Sequence, residues 1–94
     1  MLEVADIVVK AGSEEDFAAA YKSARDGLAT TPGCNGVRMT RGIETPHRFV
    51  LLVEWDSVQA HEQNFRETER YHAWRAAIGP YFDGPPRVEH FCDT

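Results

Sequence analysis

The segment Arg48–Asp56, RFVLLVEWD, constrains this chain more than any other. Phe49, Leu51, Val53 and Trp55 alternate onto one face of a strand, and Val50 and Leu52 onto the other. A strand apolar on both faces needs cover on both. Helices of the same chain supply one cover. With 94 residues there is length for a single domain, 1–94, and no spare layer for the second face. The pattern therefore predicts a homodimer, with another copy's sheet as the missing cover.

The rest of the chain reads around that strand. Leu2 to Lys10 carries Leu2, Val4, Ile7, Val8 and Val9 and is stopped by Ala11-Gly12, so it reads as a strand with Asp6 as its odd residue. Ser13 then reads as an N-cap, followed by Glu14, Glu15 and Asp16 where acids suit a helix dipole. Phe17, Tyr21, Ala24 and Leu28 repeat along one helical face, and Thr30-Thr31-Pro32-Gly33 ends that helix. Cys34 to Gly42 reads as a second strand, and Glu44-Thr45-Pro46 as the turn into the third. Asp56-Ser57 caps a helix through Val58, His61 and Phe65, Thr68 caps a continuation through Tyr71, Trp74 or Arg75 and Ile78, and Gly79-Pro80 ends it. The Asp83–Pro86 turn leads to a last strand from Arg87 to Cys92.

The order is β-α-β-β-α-β. Right-handed crossovers put both helices on one face of an antiparallel sheet, giving an α+β, ferredoxin-like fold. Cys34 and Cys92 then fall on opposite edge strands, roughly 14 Å apart. A disulfide needs Cα atoms within about 7 Å, so two free thiols are expected.

Several function classes drop out on charge and hydropathy. The net charge is −5 and the ten basic residues are scattered, so no nucleic-acid footprint and no attraction to acidic membranes is expected. No apolar run is long enough to span a membrane. The start, MLEVADIVVK, lacks the basic and apolar regions of a secretion signal, and a cytoplasmic location follows by default. There is no Gly-rich phosphate loop, no C-x-x-C, no H-E-x-x-H and no G-x-S-x-G. His61 and His72 lack a third ligand nearby, so no metal site is expected.

The remaining candidates are single residues. Histidine is the natural acid or base near neutral pH. Of His47, His61, His72 and His90, His61 shares a helical face with Val58 and Phe65 and is best placed to reach the interior; His90 alternates with Val88 and points either at the helices or at a partner. Asp6 is a carboxylate in an apolar strand: either it borders a cavity and becomes a usable base, or it pairs with Arg38, Arg41 or water. Asn64 offers both donor and acceptor. Phe65, Tyr71 and Trp74 supply flat walls for an aromatic ligand, unless they are simply core, and Arg75 can hold an anionic oxygen or face solvent.

The stretch RFVLLVEWDSVQAHEQNFRETERYHAWRAAIGPYF, followed by PPRVEHF, resembles the antibiotic biosynthesis monooxygenase (ABM) family, and the first strand and helix fit as well. The resemblance implies a dimeric α/β barrel with a pocket between sheet and helices. It also implies oxidation of a small phenol- or quinol-type aromatic by O₂ without a cofactor. The family's haem-degrading branch carries an Asn on the first strand and, counted from the strand-ending aromatic, a Trp nine positions on and an iron-binding His nineteen positions on; here the first-strand place is held by Asp6 or Ile7 and the other two, counted from Trp55, by Asn64 and Trp74, so the iron ligand is missing. The same count puts Asp6, Asn64 and Trp74 in the pocket wall. On this reading Asp6, His61 and Asn64 are catalytic, and Phe65, Tyr71, Trp74 and Arg75 bind substrate. A non-catalytic dimeric binding protein and an isomerase or signal-molecule-processing enzyme of the same fold share these residues.

Overall fold

The computed structural model describes residues 1–94 as two layers, with helices on one face of a four-stranded sheet. In chain order the elements are β1 (Leu2–Val8), α1 (Glu14–Ala29), β2 (Cys34–Arg41), β3 (Arg48–Trp55), α2 (Val58–His61), α3 (Glu69–Ile78) and β4 (Arg87–Phe91). Between α2 and α3 the chain makes one wide π-turn, Glu62–Arg66. The strand order is β2-β3-β1-β4, and every neighbouring pair is antiparallel. This is the ferredoxin-like arrangement the pattern predicts, with β3 inserted between β1 and β2.

Strand β3 behaves as its alternation requires. Phe49, Leu51, Val53 and Trp55 are buried under the helices, while Val50 and Leu52 lie on the opposite face, partly covered by neighbouring strands. Helix α1 sets Phe17, Tyr21 and Leu28 into the core, with the Phe17 and Phe49 ring centroids 4.7 Å apart. Such tilted ring pairs add to the burial of their surface.

The expected caps divide. Ser57 accepts a hydrogen bond from the Ala60 amide and starts α2, whereas the side chains of Ser13 and Thr68 cap nothing. The Thr68 hydroxyl instead donates back to the Phe65 carbonyl at 2.7 Å and helps close the π-turn. The helical region expected as one broken helix is thus three pieces. Strand β1 also ends earlier than expected: Val9 makes only an isolated bridge to Phe82. That bridge, with the Lys10 N–H bonded to the Tyr81 carbonyl and the Asp83 N–H to the Val8 carbonyl, lays the segment after α3 beside the end of β1, and both cysteines are free thiols.

Candidate functional site

The site begins with the phase of β1. Glu3, Ala5 and Ile7 point toward the helices; Leu2, Val4, Asp6 and Val8 point away. Period-two alternation therefore buries Glu3, which is 6% exposed, beneath the helical layer. The Nε1–H of Trp55 donates to Glu3 Oε1 at 2.9 Å. His61, 2% exposed, places Nε2 at 3.3 Å from the same oxygen. The indole and imidazole rings stack at 5.0 Å with an interplanar angle of 20°. His61 Nδ1 then meets His90 Nε2 at 2.8 Å. A buried carboxylate, a buried imidazole and a half-buried imidazole form one chain from the interior to the edge strand β4.

Burial shapes the chemistry of both inner groups. Loss of water raises the Glu3 pKa above its usual 4.5, against the Trp55 hydrogen bond and the Arg66 charge, which lower it. Loss of water also lowers the pKa of His61, from 6.5 to about 4, with the charges of His90 and Arg66 acting in the same direction. At neutral pH His61 is therefore a neutral ring, which donates at one nitrogen and accepts at the other. It can take a proton from Glu3 on one side and release one to His90 on the other.

Glu3 and His61 line one end of a cavity of about 290 Å³ between the sheet and the α2–α3 region, with His90 behind them. Ala5, Ile7 and Leu51 form its sheet side, and Phe65, Tyr71, Trp74 and Ile78 its helical side. Phe82, Pro85, Pro86 and Val88 close it from the last part of the chain. Phe65 stands edge-on to both Tyr71 and Trp74, at 87° and 72°. The exposed guanidinium groups of Arg66 and Arg75 stand at the solvent end. The walls suit a flat apolar ring, and the buried end offers it a proton acceptor.

Of the residues singled out from sequence, His61, Phe65, Tyr71, Trp74 and Arg75 meet at this cavity. Asp6 and Asn64 do not. Asp6 lies on the opposite face of the sheet, where Arg48 Nε and Nη2 donate to its two oxygens at 3.0 and 2.6 Å. That pairing holds its carboxyl below the usual range. Neither Arg38 nor Arg41 is its partner. Asn64 sits on the outer side of the π-turn and donates from Nδ2 to the Pro32 carbonyl at 2.8 Å. The wide turn shifts the helical phase after His61, and counting residues from Trp55 does not register that shift. Glu3 and Arg66 are the additions. The signal for Glu3 was available: it shares odd-numbered phase with Ile7 and Val9, whereas Asp6 does not. No group of three or more His, Cys, Asp or Glu side chains stands where it can hold a metal ion. No helix is long and apolar enough to cross a membrane.

Comparison with known proteins adds an independent line. Residues 1–77 match the family model described as antibiotic biosynthesis monooxygenase. Protein YczJ of Bacillus subtilis strain 168, itself uncharacterised, is 31% identical over 92 residues, which cover 98% of this chain and 97% of that one. A solved structure from Bordetella bronchiseptica, provisionally named an antibiotic biosynthesis monooxygenase, superposes with a TM-score of 0.94 at 38% identity, covering 99% of this chain and 95% of the other. A similarly named structure from Caulobacter crescentus superposes at 0.80 with 25% identity, covering 94% and 83% of the two chains.

Proposed function

The chain belongs to the antibiotic biosynthesis monooxygenase family, and from that premise we propose that it oxidises a small phenol- or quinol-type aromatic with O₂, without a cofactor. The observation that carries the reading is the buried Glu3–His61 pair, linked outward to His90, at the closed end of an aromatic-walled cavity. Cofactor-free oxidation needs an electron-rich phenolate, and the protein's task is to make one away from water.

In the proposed reaction the ring hydroxyl approaches Glu3, whose raised pKa makes it a better base than an exposed carboxylate. The proton passes to Glu3, and the neutral imidazole of His61 relays it toward His90. The phenolate then gives an electron to O₂, and the resulting pair combines to form a C–O bond on the ring. Loss of that carbon's hydrogen and cleavage of O–O leave one oxygen as the new quinone carbonyl and the other in water. The balance is phenol plus O₂ to quinone plus water, so the substrate supplies every electron that O₂ accepts. Phe65, Tyr71 and Trp74 hold the ring. Asp6 and Asn64, away from the cavity, have no part in this scheme.

Oxygen uptake with a panel of phenols and quinols tests the reading. We expect uptake with at least one compound and a loss of about 10²- to 10⁴-fold in Glu3→Gln. Product formed equally well without O₂ would make the site an isomerase. Binding without turnover would make it a carrier.

A further inference from the structure

The arginines are not used evenly. Arg25, Arg41, Arg48 and Arg87 each lie within 4.0 Å of a carboxylate. Arg70 donates to the Gly27 carbonyl and the Thr30 hydroxyl. Arg38, Arg66 and Arg75 have no carboxylate partner, although the chain carries 15 acidic residues against 10 basic ones, and of these three only Arg66 and Arg75 line the cavity. Those two are held over aromatic rings instead: Arg66 at 5.6 Å from the centre of Tyr71, and Arg75 at 5.2 Å from that of Phe82. Both rings belong to the cavity wall, and both arginines line the cavity. Stacking fixes the guanidinium planes and leaves their N–H edges free to donate. Among the residues lining the cavity, the only other charged side chain is Glu3, at the buried end.

The cavity is thus polarised along its length, with a proton acceptor inside and two unpaired cations outside. Its size narrows the ligand further. A cavity of about 150 Å³ accommodates benzene, so about 290 Å³ holds roughly two rings. We propose that the ligand is a one- or two-ring hydroxyaromatic carboxylate, with its hydroxyl at Glu3 and His61 and its carboxylate between Arg66 and Arg75. The hydroxyl end rests on the phenol-oxidation reading; the carboxylate end stands on the arginines alone. A guanidinium is the side chain best matched to a planar carboxylate, which it can bind through two N–H groups at once.

Calorimetry with 6-hydroxy-2-naphthoate and its neutral analogue 6-hydroxy-2-naphthamide tests this on the intact protein. The carboxylate is expected to bind about tenfold more tightly than the amide at low ionic strength, with the margin shrinking in high salt because the arginines are exposed. In the Arg66→Gln/Arg75→Gln double variant the ratio of the two affinities is expected to fall to about one, with amide binding reporting that the cavity is still formed. Arg75→Lys should keep part of the preference. Equal affinities in the wild type, an undiminished ratio in the double variant, or failure of both probes to bind at millimolar concentration would each overturn the proposal. Oxygen uptake separates the two readings: a carboxylate preference without O₂ consumption removes the oxidation and leaves the ligand assignment standing.

Discussion

Burial makes Glu3 and His61 respond to acid in opposite directions. The folded pKa of His61, about 4, lies below its ordinary 6.5, so its contribution to stability is complete above that upper value and is lost as pH falls toward 4. At about 1.4 kcal/mol per pKa unit, the loss reaches about 3 kcal/mol. Glu3 opposes it: with its folded pKa raised above 4.5, its contribution is present in acid and lost as pH rises through the folded value. Urea unfolding of wild type and His61→Gln between pH 4 and 8 separates the two. We expect the variant to be weaker overall but to lose less stability on acidification; parallel profiles would mean that His61 is not held neutral by the fold. The residues here also show what the sequence made legible. His61, Phe65, Tyr71, Trp74 and Arg75 declared themselves by residue type and helical spacing. Glu3 shared the phase of Ile7 and Val9, but an acid near the start of a strand looks like a solvated edge until β3 and β4 are seen to flank it on both sides.

At the scale of elements, the contact between the α1–β2 turn and the α2 region controls how the cavity wall is mounted. Gly33 has φ +89°, and a Cβ there would stand 2.7 Å from the Ala60 Cβ. Gly33→Ala therefore meets both a left-handed backbone cost of about 1–2 kcal/mol and a steric clash, and thermal unfolding should show a loss of at least that size. Asn64 joins the same two elements through the Pro32 carbonyl. Asn64→Ala should cost about 0.5–1.5 kcal/mol of stability, with less than a twofold change in the affinity of an aromatic ligand. A large loss of affinity with unchanged stability would return Asn64 to the binding site. The strand pattern was readable from its period, and the helix starts from the positions of Ser13, Ser57 and Thr68, although only the Ser57 side chain caps. The π-turn was not, since a single widened turn leaves no mark in residue type, and it alone decides which side of the chain Asn64 and Phe65 occupy.

As a whole the molecule is a slab of 35 × 32 × 20 Å, covered by helices on one face only. The bare face carries Leu2, Val4, Val8, Val50, Leu52 and Phe91, with Val8 and Phe91 38% and 47% exposed. Its central charge, Asp6, is paired with Arg48 through two hydrogen bonds, so covering Asp6 does not leave that carboxylate unpaired, while Arg38, Glu54, Arg87 and Glu89 share the same face. We propose that a second copy packs its sheet there. Sedimentation equilibrium at micromolar concentration should give twice the chain mass of 10.6 kDa, and Leu52→Glu should return it toward a single chain. A wild-type mass of one chain would refute this assembly. The double apolar phase of β3 is the sequence feature from which a second copy's sheet is expected as cover, and the single chain leaves Val50 and Leu52 only partly covered.

The pairing of Glu3 with His90 joins residues from opposite ends of the chain across the β1–β4 ladder. Strand β4 has only five residues, pairs on one side alone, and contributes Val88 to the cavity. Its detachment is a small local unfolding event that also breaks the His61–His90 link and uncovers the ligand. Amide hydrogen exchange along Arg87–Phe91 should therefore slow when the cavity is filled, while the amides of β3, at the centre of the sheet, keep their rates. Ligand residence would then be governed by how often this last strand frays.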